Sequence, residues 1–143
     1  MIGKIILNNI ISIGIHALLC LAMYLLLISP ISVGHVGSIV LSIVYTIAFL
    51  FMYYLSGRLF LHNTHNIWMN LASVAALALG VVVGMLLARN RGGLVVINFP
   101  FYPLMLLSPK VVRFFPTVAL CTISLLPSLA MWIGIITKRS PEI

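Results

Sequence analysis

Residues 5–28 read IILNNIISIGIHALLCLAMYLLLI and contain no charged side chain. A helix needs about 20 apolar residues to cross a hydrocarbon core of about 30 Å, and this run is long enough. It is also longer than the apolar core of a typical secretory signal peptide, and no small-x-small cleavage site precedes the polar residues that follow. The run therefore predicts a first membrane span that is kept in the mature protein.

The composition of the whole chain indicates a membrane setting. Of the 143 residues, 63% are hydrophobic and 6% are charged, whereas soluble domains carry about a quarter charged residues. Such a chain cannot coat a water-exposed surface, so lipid is expected to be its outer solvent. We expect a multi-pass protein of the cell membrane, of bacterial origin.

Three further apolar runs predict three more spans. The expected fold class is an all-α integral membrane protein, with four transmembrane helices forming a single bundle over residues 1–143. The predicted spans are residues 5–28, 36–55, 67–88 and 115–136. Proline and glycine in the short link 29–35 end one helix and begin the next, so the first two spans should form an antiparallel hairpin.

The stretch INFPFYPLMLLSPK at residues 97–110 is apolar but does not fit a span. Residues 94–107 would measure only about 21 Å as a helix, and the prolines remove amide donors. Because an irregular backbone cannot face hydrocarbon, the Pro-rich segment 94–109 is expected to be interfacial or re-entrant. The residues expected to face headgroups or a partner here are Arg89, Arg91, Phe99, Phe101, Tyr102, Lys110 and Arg113.

The eight Lys and Arg residues stand singly or in pairs at the ends of apolar runs, against one acidic residue. Basic side chains in such places reach phosphate headgroups, so the lipid bilayer, including anionic lipid, is an expected partner. No nucleic acid is expected, because its recognition needs a positive face on a soluble fold. Four basic residues fall on each side of four spans, so the charge rule gives no orientation. A cytoplasmic amino terminus and insertion in both orientations stay as alternatives.

Small residues recur every four positions in the third predicted span, which leaves one helix face almost without side chains. Close helix packing in lipid depends on such faces. The pattern is compatible with a neighbour in the same chain and with another membrane protein or a second copy. The predicted helix-packing residues are Ala72, Ala76, Gly80, Gly84 and Ala88.

The first span carries a polar row at the same spacing, which predicts that this side faces the bundle. His16 lies near the middle of the run, where an ionisable side chain is costly and is a functional candidate. The alternative is a neutral imidazole that is hydrogen-bonded within the bundle. Together with hydroxyls of other spans, the row predicts a polar seam formed by Asn8, Ser12, His16, Ser42, Ser124 and Ser128.

Neither a metal site nor a catalytic site is predicted. His62 and His65 are three residues apart, but zinc or copper needs three or four ligands, so no metal or other cofactor is expected. The chain has no Gly-x-Ser-x-Gly elbow and no pair of acidic residues. Cys20, one turn after His16, would need a nearby cation to form a thiolate at that depth. We therefore expect a protein that is not an enzyme.

The layout of four spans in one short, charge-balanced chain is similar to that of small multidrug-resistance transporters. Their first-span glutamate has no counterpart in residues 5–28, so the resemblance does not extend to activity. The leading hypothesis is a non-enzymatic subunit of accessory, regulatory or immunity type that packs against membrane protein partners. The alternatives are a small-solute transporter or channel with a polar seam around His16, and a lipid-binding membrane protein.

Overall fold

The computed structural model describes residues 2–28, 35–64, 66–88 and 116–138. All regular secondary structure within these residues is helical, and no strand occurs among them. The helices are α1 (Ile2–Ile28), α2 (His35–Phe60), α3 (Ile67–Ala72), α4 (Ala75–Ala88) and α5 (Pro116–Ile136). The all-α prediction is therefore confirmed for this part of the chain.

Two helical stretches are long and apolar enough to cross a membrane. They are Ile2–Leu25 and Ile43–Phe60, and only 22% of each is buried. The core helix of a soluble protein would be mostly buried, so this exposure agrees with a lipid solvent. Ala75–Gly84 and Thr122–Ile136 are apolar but shorter. The count of four spans stays a prediction, and segment 94–109 with its flanking basic residues lies outside the described residues.

Two boundaries differ from those predicted. α2 continues to Phe60, five residues beyond the predicted end of the second span at residue 55. The predicted span 67–88 is interrupted, because α3 ends at Ala72 and α4 begins only at Ala75. At this break the Ser73 hydroxyl donates to the Met69 carbonyl at 2.9 Å, and the Val74 amide donates to the Leu71 carbonyl at 3.1 Å.

Contacts between distant residues give the directions of the helices. Residue 8 of α1 lies beside residue 62, which follows α2, and residue 16 lies beside residue 53, so α1 and α2 are antiparallel. Lys138, just after α5, donates to the carbonyl of Leu61 at 3.4 Å, which makes α5 parallel to α2. The Trp132 indole donates to the carbonyl of Ile67 at 3.3 Å and ties α5 to α3.

Helices α2 and α5 pack backbone against backbone at two glycines. A Cβ added to Gly57 would overlap the carbonyl of Met131, and a Cβ added to Gly134 would overlap the carbonyl of Tyr54. Small residues allow this close approach in membrane helices, where packing rather than hydrophobicity holds helices together. Completely buried side chains, among them Met131 and Tyr53, fill the core beside this crossing.

Candidate functional site

The polar row of α1 is buried. Asn8 and Ser12 are completely inaccessible and His16 is 8% exposed, because a spacing of four residues keeps all three on one helix face. Ser124 and Ser128 of α5 are also buried. The side chain of Ser42 lies outside the described part of the chain. The structure thus places five of the six predicted seam residues in the interior, although not all of them contact one another.

His16 is the centre of a short hydrogen-bonded chain between α1 and α2. Its Nδ1 lies 2.8 Å from the hydroxyl of Tyr53, and its Nε2 lies 3.5 Å from Sγ of Cys20. Either tautomer of a neutral imidazole satisfies both contacts. In one, Tyr53 donates to Nδ1 and Nε2–H donates to Cys20; in the other, Cys20 donates to Nε2 and Nδ1–H donates to Tyr53. Both ring nitrogens are therefore partnered without a charge on the ring. The sequence pattern does not reveal the role of Tyr53, because its partner His16 lies 37 positions away.

Asn8 fastens α1 to the chain that follows α2. Its Nδ2 donates to the carbonyl of His62 at 2.9 Å, and its Oδ1 accepts from the amide of His62 at 2.9 Å. A side-chain amide that both donates to and accepts from one residue satisfies the backbone of that residue completely. The amino-terminal end of α1 is therefore held at the same end of the bundle as residues 61–64.

Asn9 explains the break between α3 and α4. Its Nδ2 donates to the carbonyl of Ala72 at 2.9 Å, and its Oδ1 accepts from the amide of Ala76 at 3.0 Å. In a continuous helix, this amide and this carbonyl would bond to each other. The carboxamide of Asn9 has replaced that hydrogen bond, so two polar backbone groups are satisfied at the interruption. The sequence carried a weak signal, since Asn9 lies about 100° around the helix from Asn8 and needs a partner of its own.

A second asparagine group begins the third helix. Asn66 is the N-cap of α3, and its side chain accepts from the amides of Trp68 and Met69. Asn70 is 2% exposed and accepts from both the amide and the hydroxyl of Thr64. These bonds hold Thr64 against the start of α3. No group of three metal-ligating side chains occurs among the residues that the structure describes.

The small-residue face of α4 is uncovered over most of its described length. Ala72, at the end of α3, and Ala76 and Gly80 of α4 are exposed and Gly84 is half-buried, while the side chain of Ala88 is outside the described part. A Cβ added to Gly80 would have no described atom within 4 Å beyond its own helix and chain neighbours. Asn9 of α1 reaches the backbone at Ala72 and Ala76, but the described helices make no close contact at Gly80.

A groove runs between α1 and this face of α4. It has a volume of about 220 Å³, and we name it the Gly80 groove. Its lining residues are Ile13, His16, Ala76, Leu77, Gly80 and Val81. His16 therefore contributes both to the interior chain with Tyr53 and to the wall of an open surface groove.

No protein-family model, curated protein or solved structure matches the chain. What the site can do is therefore judged from its own geometry. The groove is almost wholly apolar, and its polar wall residue, His16, is already hydrogen-bonded on both nitrogens. This arrangement suits the docking of an apolar helix better than the binding of a charged solute.

Proposed function

We propose that this chain is a four-span protein of the cell membrane that acts without catalysis, by packing against a membrane protein partner or a second copy of itself. An accessory, regulatory or immunity-type subunit would work in this way. The observation that carries the proposal is the Gly80 groove, where a face of small residues is open in the described part of the fold. A partner helix could approach there to backbone distance.

The internal packing of the bundle supports this use of the groove. The close contact between α2 and α5 depends on Gly57 and Gly134, while α4 buries Leu77 and Val81 inside the bundle. The small face of α4 is needed for neither contact. Leu79 and Val83 are exposed beside it and would flank an incoming helix. Cα–H to carbonyl contacts across Gly80 would add to the dispersion attraction.

The count of four spans is supported by how the interruption of the third segment is satisfied. A broken helix at membrane depth is tolerated only where its free backbone groups find protein partners. The carboxamide of Asn9 supplies both partners at the break. α3 and α4 together are long enough to cross, and α5 of 21 residues has the length that a span requires.

Gly80→Leu is expected to weaken the association by about tenfold, because the leucine side chain would hold the partner backbone away from α4. The matched control is Gly14→Leu. Gly14 also lies in an exposed helix position with no described atom within 4 Å of an added Cβ, but it is outside the groove. Self-association would be measured by energy transfer between labelled copies in phospholipid vesicles, and partners by co-purification in mild detergent.

The control separates the proposal from general effects of a larger side chain. A loss of association in Gly80→Leu with no loss in Gly14→Leu supports the groove as the docking face. Equal association in both variants and in the unmodified protein, for self and for co-purifying partners alike, would remove the proposal.

A small-solute transporter or channel is the second candidate function, because His16 both lines the groove and continues inward to Tyr53 and Cys20. Such a path must admit water. In a chain without its native cysteines, Ser12→Cys and His16→Cys should then react with a membrane-impermeant thiol reagent at a rate near that of an exposed position such as Gly3→Cys. Complete inertness of both would eliminate a path along this row.

A further inference from the structure

A second cavity opens between α4 and α5, at the break of the third segment. Its volume is about 300 Å³, which is at the lower end of the range of small-molecule sites. Leu125 and Leu129 at its rim are 40% and 42% exposed, so the cavity opens to the outside of the described helices. Its inner wall includes Val74, Ala75, Ala78 and Ser128.

The hydroxyl of Ser128 sets this cavity apart from an ordinary apolar cleft. The residue is 4% exposed, and its Oγ has no hydrogen-bond partner among the described residues. Other buried serines are satisfied, since the hydroxyls of Ser12 and Ser73 donate to carbonyls of their own helix at 2.9 Å. A buried donor without an acceptor is unfavourable, so an acceptor brought by a ligand would stabilise this site.

The start of α4 lies at the same cavity. Ala75 is the first residue of this 14-residue helix and lines the cavity wall. Among the residues that line the cavity, the hydroxyl of Ser128 favours an electron-rich oxygen, whereas the rest of the wall is apolar. The matching ligand is an apolar molecule that carries a hydrogen-bond acceptor.

The depth of Ser128 narrows the class of ligand. It lies about two turns, or about 12 Å, before the end of α5 at Ile136, and Thr137 and Lys138 follow that end. In the four-span arrangement proposed above, on which this step rests, α5 crosses a hydrocarbon core of about 30 Å, and Ser128 would lie close to the midplane. The ester carbonyls of phospholipids lie near the headgroups and would not reach it, and a charged group there would be costly.

We propose that the cavity between α4 and α5 binds a lipid-soluble carbonyl compound, such as a quinone, through a hydrogen bond from the hydroxyl of Ser128. The carbonyl oxygen accepts this bond beside the start of α4, and the ring or chain of the ligand fills the space between Ala78 and Leu125. This site is separate from the Gly80 groove, which lies at the other edge of α4, so it stands or falls independently of the proposed docking.

The test uses the full-length protein in lipid nanodiscs and an azido-benzoquinone with a ten-carbon tail as a photolabel. Labelled peptides are located by mass spectrometry, and the same quinone without the azide is the competitor. We expect competable labelling of α4 and α5. Decylbenzene, which has the same tail but no carbonyl, should not compete. Ser128→Ala should raise the competitor concentration needed for half-displacement by about tenfold, because one hydrogen bond is lost.

Further variants keep the test decisive. Ser128→Thr retains a hydroxyl and should retain labelling, whereas Ala78→Phe fills the cavity and should abolish it. Ser56→Ala and Ala17→Phe make the same changes away from the cavity and should leave labelling intact. Labelling that does not compete, or that is equal in Ser128→Ala and Ser56→Ala, would overturn the proposal. The proposal would also be overturned if the photolabel did not react with the protein and Ser128→Ala instead weakened the capture of a protein partner, since the cavity would then hold a helix.

Discussion

Gly57→Val and Gly134→Val are each expected to separate α2 from α5 and to lower the thermal unfolding temperature in detergent by about 10 °C or more. Extra atoms in a packed core typically destabilise by about 1–3 kcal/mol when side chains can move aside. Here the obstacles are the main-chain carbonyls of Met131 and Tyr54, which cannot move without shifting a helix. The loss should therefore reach the upper end of that range, at several degrees per kcal/mol.

The matched control for this prediction is Gly14→Val. This variant carries the same uncharged substitution as the two test variants. An added Cβ at Gly14 meets no described atom within 4 Å. Circular dichroism on heating and the elution volume on size exclusion would report the folded state of each variant. If Gly57→Val and Gly134→Val behaved as Gly14→Val does, the backbone contact between α2 and α5 would be refuted.

Asn8→Leu is expected to destabilise the fold by about 2–6 kcal/mol. Asn8 is completely buried, and it satisfies both the amide and the carbonyl of His62. Leucine has a similar size but leaves these two backbone groups without their partner, at about 1–3 kcal/mol for each. The change would be measured as a fall in the thermal unfolding midpoint and as faster hydrogen exchange at the amide of His62.

Asn9→Leu is the informative comparison, because it removes the same type of side chain one position along. The groups that Asn9 holds apart, the carbonyl of Ala72 and the amide of Ala76, can bond to each other once the carboxamide is gone. We expect a smaller loss of stability than in Asn8→Leu and a third segment that straightens into one helix. The distance between spin labels at Trp68→Cys and Val83→Cys, in a chain lacking native cysteines, should increase. Equal losses in the two variants with an unchanged distance would contradict this account.

The helical class of the fold could be predicted from the sequence because it depends on composition. Long apolar runs leave the backbone no partner except its own helix, and α1 and α2 follow the predicted runs closely. The inward position of the row at His16 likewise follows from helical spacing alone. These features require no knowledge of which residues meet across the bundle.

The close helix contact could not be predicted in the same way. Gly57 lies two residues beyond the predicted end of the second span at residue 55, and Gly134 has one small residue at the four-residue spacing, Ala130, rather than a long repeat. The regular pattern around Gly80 was the stronger signal in the sequence, yet that face is open in the described fold. A four-residue repeat of small residues shows that one helix face has short side chains. Which helix packs against that face depends on the shape of both helices.

The break of the third segment illustrates a different limit. Nothing between residues 67 and 88 forces an interruption, since glycine and proline are absent from the turn at Ser73 and Val74. The residue responsible lies 63 positions earlier, on α1. A search for helix-breaking residues within the segment would therefore find a continuous span.

The insertion of Asn9 between Ala72 and Ala76 also has a meaning for biogenesis. The carboxamide can occupy that position only after α1 and the third segment have met, so the break cannot be part of the segment as it first enters the bilayer. In the four-span arrangement that we propose, the apolar character that favours insertion of residues 67–88 is local, whereas the break in their helix depends on the amino-terminal helix. If residues 67–88 were placed alone in another protein, they would keep the apolar character that favours insertion but would lack the contact with Asn9 that breaks the helix.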